Sequence, residues 1–325
     1  MANKSMLTLH TLAELRQRMD PDGMIASIAE VIDQYNDFVR DIPWQEANDK
    51  TSHLYTKRVS YPTPQIRRLN RGTTPSKSTT GQAREILMMT EDWSEVDIKL
   101  AKLSGSPESY RYTEDIAFAE GFSQAVPGYY FYGTGVDEEI LGLANRLSSI
   151  GTSPHVIDAG GTGASLSSIY MVGWGNDVFG IYPTGSAVGI DYQDYGKTVV
   201  QPELTKRLEV YQSRWSWDFG MVVRDDRQIM RIANIDCADP KAASPTDLTN
   251  HIIYAMNKMR RGLRGRGITL YCNSDVMTIF DILAKDKTNV NYSSEMVHGQ
   301  RIVMFRGENP IRQVDQILTG ESRVT

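Results

Sequence analysis

The stretch from Lys57 to Arg84 carries seven basic residues and no acidic one, and it cannot fold alone. It reads as a long two-stranded ribbon. The rising arm is Tyr55 to Tyr61, and the turn-rich tip runs from Arg67 through Asn70-Arg71-Gly72 and Pro75 to Gly81. The returning arm ends in Glu95-Val96-Asp97-Ile98-Lys99-Leu100, whose polar–apolar alternation predicts a half-buried strand. An isolated hairpin is marginal in water, so so long a ribbon persists only with outside support. That points to assembly before chemistry.

The rest of the chain sets the bounds. Its 325 residues can hold two or three compact units, and a hydrophobic content of 40% is enough for real cores. The net charge of −5 argues against a general nucleic-acid binder. No run approaches the roughly 18 apolar residues of a membrane span. The N-terminus lacks an apolar secretory core. Cys237 and Cys272 imply no disulfide framework and fit a reducing cytosol.

Ile25, Ile28, Ile32, Tyr35 and Val39 form an apolar stripe at helical spacing, capped by Asp20 or Asp22 and ended by Pro43. A shorter stripe of Leu12, Leu15 and Met19 precedes it. A second helix is expected from Thr113, as N-cap, to Val126, before Pro127-Gly128 disturbs it. From Pro154 to Ile235 short apolar runs between Gly, Asn and Asp turns predict strands at Ile169–Val172, Gly180–Tyr182, Leu208–Tyr211 and Met221–Val223. The tail switches to α/β. A helix opens at Ser244-Pro245, bears Leu248, Ile252, Ala255 and Met259 and closes near Gly262; Ile268–Tyr271 is a strand; Ser274 caps a helix with Val276, Ile279, Phe280 and Leu283; Arg301–Phe305 is another strand. The class is α+β.

Motifs for chemistry are weak. Val156-Ile157-Asp158-Ala159-Gly160-Gly161-Thr162-Gly163 has the look of a nucleotide loop, but that chemistry needs a helix N-terminus after the glycines, and a strand is expected there instead. His10, His53, His155, His251 and His298 include no local metal pair. The acidic pairs Asp225-Asp226 and Glu138-Glu139 fall in surface settings. Arg260, Arg261, Arg264 and Arg266 read as a basic helix end running into a glycine turn rather than a phosphate site. Neither a catalytic residue nor a cofactor or metal site is expected.

The basic tip is the strongest signal. Arg67, Arg68, Arg71 and Lys77 should meet an acidic partner. Candidates are Glu85, Glu91, Asp92, Glu95 and Asp97 on the returning arm, and Glu108, Glu114, Asp115 and Glu120 on the second helix. A tip reaching the helix of the next copy is a heterologous contact, which closes into rings or extends as a lattice.

Several blocks carry a resemblance: Asp20-Pro21-Asp22-Gly23, Leu69 to Thr80, Ser94 to Leu103, Val156 to Gly163, Trp174-Gly175 and Arg231 to Asp236. From about residue 10 to its end the chain resembles the major capsid proteins of short-tailed, double-stranded DNA bacteriophages, with the Hong Kong 97-type fold. The resemblance implies an N-terminal arm (1–45), an extended loop (46–104), a peripheral domain with a spine helix and β region (105–236) and an axial domain (237–325). It implies self-assembly into hexamers and pentamers of an icosahedral head around DNA held non-specifically. Portal, scaffold and cement or decoration proteins are implied partners, no membrane is, and the implied place is the virion, assembled in the host bacterial cytoplasm. Some phages of this fold cross-link loop lysines; Lys77 carries no motif for it, and a non-covalent interlock is expected.

Two rivals make distinct forecasts. A glycine-loop enzyme binding a nucleotide or S-adenosylmethionine requires a helix starting near Ala164. A carbohydrate-binding phage structural protein requires an exposed aromatic patch from Tyr182, Tyr192, Tyr195, Trp215 and Trp217.

Overall fold

The structure is a computed structural model and describes residues 38–151, 153–203, 206–238, 245–259, 267–285, 291–297 and 300–325. In chain order come helix α1 (Phe38–Asp41) and strands β1 (Trp44–Glu46), β2 (Ser52–Ser60), β3 (Thr79–Ile86) and β4 (Met88–Asp97). Helices α2 (Ile98–Leu103), α3 (Pro107–Tyr132) and α4 (Leu143–Arg146) follow. Next are strands β5 (Val156–Asp158), β6 (Leu166–Gly173), β7 (Val178–Tyr182), β8 (Asp191–Glu203), β9 (Lys206–Val223) and β10 (Ile229–Asp236). The chain continues with α5 (Pro245–Lys258), β11 (Ile268–Cys272), α6 (Ser274–Lys285), β12 (Tyr292–Val297), β13 (Gln300–Phe305) and β14 (Asn309–Gln313).

The strands form three sheets. β2 and β3 pair alone as a ribbon; β1, β7, β9 and β4 lie side by side, with β8 on the first half of β9; the third sheet runs β12-β13-β14-β11-β6-β10-β5. In this seven-stranded sheet β6 is buried along its whole length. Its odd residues Ile169 and Met171 pack with Leu248 and Ile252 of α5 and Ile279 and Phe280 of α6. Its even residues Tyr170 and Val172 face Phe38, Phe131 of α3 and Val314, Ile317 and Val324 of the C-terminal segment. A strand covered on both faces reads as a continuous apolar run, as this one does.

α3 is longer than the sequence predicts. Ser106 caps it, with Pro107 in the first turn, and Thr113 lies inside, donating back to Ser109 O at 2.9 Å. Pro127 does not end it. An interior proline costs about 3 kcal/mol. The next turn buries Tyr130 and Phe131 against Phe38, Tyr170 and Phe219 at centroid distances of 4.9 to 5.5 Å. Two such side chains return about 1.5–3 kcal/mol each, which offsets the proline.

Other expectations shift. Ile98-Lys99-Leu100 is helical, because the Asp97 side chain accepts from Lys99 N at 2.8 Å and starts α2. The runs near Leu208 and Met221 are the two ends of one long strand, β9. Its partner β8 was not expected, since its alternating exposure lacks an apolar face. Asn273 rather than Ser274 caps α6, accepting from Val276 N at 2.9 Å. Leu248, Ile252, Ala255 and Met259 are buried as expected. Val39 lies in α1; the rest of the N-terminal stripes (Leu12 to Tyr35), Ser244, Gly262, Arg260, Arg261, Arg264, Arg266, His10 and His298 lie outside the described residues. The seven-stranded sheet takes β5, β6 and β10 from before residue 237 and β11 to β14 from after it. No helix among the described residues is long and apolar enough to cross a membrane.

Candidate assembly interface

The ribbon is fixed at its base and free at its tip. β2 and β3 pair antiparallel from Ser52↔Ile86 to Ser60↔Thr79. At the base, Tyr55 packs with Ala47, Leu87, Phe179, Ile181 and Val222, and its hydroxyl donates to Val223 O at 2.8 Å. Burial, with the Glu85 charge beside it, pushes that hydroxyl up to about 12, so it stays a donor. Arg146 grips Glu85 through both guanidinium nitrogens at 2.9 and 2.5 Å, with both side chains largely buried. The outermost link to the body is Lys57 to Asp226 at 3.9 Å, both exposed.

Beyond it, residues 61–77 are exposed without exception. Ile66 and Leu69 are 94% and 95% accessible. Among the described residues the tip bonds only to itself: Arg71 N donates to Arg68 O and Thr74 N to Gln65 Oε1, both at 3.2 Å, and Asn70 turns with φ +60°. Among the described residues the Arg67, Arg68, Arg71 and Lys77 side chains have no ion pair or hydrogen bond. Nine residues of strand hold the tip about 30 Å out.

Several of the acids expected to receive it are bonded at home, while Glu91, Asp92 and Glu108 stay exposed. Glu114 is 6% exposed. Asp115 accepts from Tyr192 Oη at 3.2 Å and Ser213 Oγ at 3.4 Å; burial raises its carboxyl, while the Tyr192 bond and Arg111 hold it down. Glu120 accepts from Gln124 Nε2 at 2.9 Å. On the returning side Glu85 is held by Arg146, Glu95 by Gln212, and Asp97 caps α2.

The register divides β4, β9 and β8 into two faces. The rows Asp92–Trp215–Tyr192 and Ser94–Ser213–Asp194 lie toward α3, where Arg111 meets Asp194 at 2.6 Å. The rows Glu91–Ser216–Asp191 and Trp93–Arg214–Gln193, with Met89–Asp218, lie on the open face. The sequence singles out Glu91 and Glu95 of this face as acids but not the face itself, because its membership depends on the pairing of three strands. Tyr55 and Arg146 were also missed, for their contacts are long-range.

The glycine loop is structural. A strand, β6, follows it, and Ala164 starts no helix. Gly161 N donates to Asn234 O at 2.9 Å, and a Cβ on Gly161 would sit 2.4 Å from that oxygen. Asn234 stands in a bulge of β10 with φ +60°; its amide group donates to Asp158 Oδ1 and Val324 O and accepts from Val324 N. The aromatic residues form no single patch either, since Trp217 is core and Trp215 packs against Tyr192 at 4.6 Å. Among the described residues no group of three or more His, Cys, Asp or Glu is arranged for a metal.

A family model described as major capsid protein GP7 matches residues 20–325. A chain of the near-atomic cryo-EM structure of bacteriophage Epsilon15 overlays with a TM-score of 0.77 and 30% identity, covering 98% of each chain. The bacteriophage JBD30 capsid overlays at 0.45 with 10% identity over 90% of this chain and 95% of that one. The holo-SrpI encapsulin of Synechococcus elongatus PCC 7942 overlays at 0.43 with 10% identity over 65% and 93%. No curated protein matches.

Proposed function

Because the chain belongs to the family of the major capsid protein GP7, we propose that its copies join through their basic ribbons into the hexamers and pentamers of an icosahedral bacteriophage head. The chain is a shell protein of the Hong Kong 97-type fold, and it resides in the virion. The enclosed genome is double-stranded DNA, held without sequence readout. Assembly takes place in the host bacterial cytoplasm, with portal, scaffold and cement or decoration proteins as partners. The protein's role is structural, with neither catalysis nor a cofactor. Its parts are the arm (1–45), the extended loop (46–104), the peripheral domain (105–236) and the axial domain (237–325). The shared seven-stranded sheet supports an axial part that also draws in β5, β6 and β10.

The observation that carries the ribbon's role is the full exposure of residues 61–77, where Ile66, Leu69 and four cationic side chains find nothing to bind among the described residues. A monomer exposing such a finger is incomplete. The contact is non-covalent, with Lys77 acting as a charge rather than a cross-link.

The test is expression of the chain, alone and with its phage neighbours, followed by electron microscopy. Closed shells are expected; a monomer that binds S-adenosylmethionine overturns the reading. The triple variant Arg67→Glu, Arg68→Glu, Arg71→Glu is expected to melt at the parent temperature and form no shells. Normal shells from it would remove the tip from the reading.

A further inference from the structure

We propose that His53 and His155 make the root of the ribbon an acid-sensitive hinge: neutral, they let the ribbon sit against the body; protonated, they loosen it. The device lies within one chain and is independent of what the tip grips. His53 stands on β2, two residues before the anchor Tyr55, and packs edge-on against Phe179 at 5.5 Å. His155 stands on the body just before β5, its carbonyl accepting from Arg231 N at 2.9 Å. It lines a cleft of about 690 Å³ whose other wall is the rising arm, with Lys57, Arg58 and Tyr61. In both rings Nδ1 is buried and, among the described residues, meets no partner. A neutral imidazole can carry its proton on Nε2 and leave Nδ1 a bare acceptor. In a charged one Nδ1 gains a proton and becomes a buried donor with no acceptor, which is costly.

The charges around the two rings favour the neutral forms. Arg224 bears on His53, whose cross-strand partner Glu85 is already held by Arg146. Burial, with Arg224 behind it, keeps the His53 imidazole below the ordinary 6.5. His155 faces Asp225, Asp226 and Arg227 of the β9–β10 turn and Lys258 of α5, with Asp177 and Arg224 in the same cleft. Burial pushes its imidazole down; Asp226 and Asp225 pull it up, and Lys258 and Arg227 push it down again, leaving it below 6.5. The acids are engaged elsewhere. Asp225 takes Arg227 at 2.9 and 2.7 Å, and Asp177 takes the Gln228 amide at 2.5 Å. Asp226 takes Lys57 at 3.9 Å, the outermost tie between ribbon and body. A charged His155 competes with Lys57 for that carboxylate, so protonation weakens the tie. With both folded values depressed, the root keeps its full stability above pH 6.5 and loses it as pH falls through the folded values.

The test is hydrogen exchange on the purified full chain at pH 7.5 and 5.5, with rates corrected for the intrinsic pH dependence of exchange. Amides of Leu54 to Thr56 and Gln82 to Arg84 are expected to exchange at least fivefold faster at pH 5.5, while those of β6 hold steady. His53→Gln with His155→Gln is expected to abolish most of that acceleration, and each single change to remove part of it. No acceleration in the parent overturns the hinge, as does the same acceleration in the double variant. A response carried wholly by one ring overturns the pairing. If the double variant fails to fold, exchange of the imidazole C2 hydrogens, read by mass spectrometry on the parent, decides instead. Both rings are expected to titrate below 6.5; a value at or above it for either overturns the hinge. Shell formation is not part of this readout, so the hinge and ribbon-mediated assembly fail separately.

Discussion

The Arg231 guanidinium lies in the interior and meets four acceptors: Ser168 Oγ at 3.0 Å, Ala144 O at 3.2 Å, Leu147 O at 3.0 Å and Glu321 Oε2 at 2.9 Å. Glu321 also accepts from Ser168 and from the Tyr132 and Tyr170 hydroxyls, which burial keeps protonated. Removing one partner strands the other charge, at a cost of about 3–5 kcal/mol. That is a large part of a domain's usual 5–15 kcal/mol. Glu321→Ala is therefore expected to lose about that much in urea unfolding, with Glu321→Gln between it and the parent. Asp218 has the opposite character. Its carboxyl sits above the ordinary 3.8, so the folded chain keeps a proton that the unfolded chain has released. Stability then falls as pH rises from 3.8 through the folded value and stays lower above it. Asp218→Asn is expected to melt above the parent at pH 7, with the gap closing as pH approaches 3.

At the level of elements, the ribbon depends on its base. Glu85→Ala removes both hydrogen bonds to Arg146 and is expected to cost about 1–3 kcal/mol locally. Hydrogen exchange should quicken in β2 and β3 while β6 stays protected. The ribbon was legible in sequence because one-signed charge and turn residues mark it without reference to anything distant. So were α5, α6 and the strands β6 and β13, whose apolar spacing is local. The end of α3 was not, because Pro127 forbids locally what Tyr130 and Phe131 recover from partners 39 to 92 residues away. The acids of α3 were legible as charges but not as engaged ones. Whether Asp115 is available depends on Tyr192 and Ser213, on strands that only the fold brings near.

Across the whole molecule, the C-terminal segment ties the seven-stranded sheet to α3 and to the loop after α4. Gly320 and Glu321 donate their N–H groups to Leu166 O, Val324 pairs with the Asn234 amide, and Ile150 N donates to Thr325 O. Deleting residues 320–325 removes these bonds and the Glu321 carboxylate together. The truncated chain is expected to give little soluble protein and no cooperative melt, whereas the tip variants melt normally. That contrast separates folding defects from assembly defects.

The slender attachment of the ribbon has a mechanical consequence. Rooted at Tyr55 and Glu85 and tied once more by Lys57 to Asp226, the ribbon works as a lever beyond them: a tilt of about 5° moves a point about 20 Å out by roughly 2 Å. Neighbours in a closed polyhedron meet at unequal angles around fivefold and sixfold vertices. If the ribbon joins the copies as proposed, a limb that bends at its root would keep the same grip at each of them without remodelling the core.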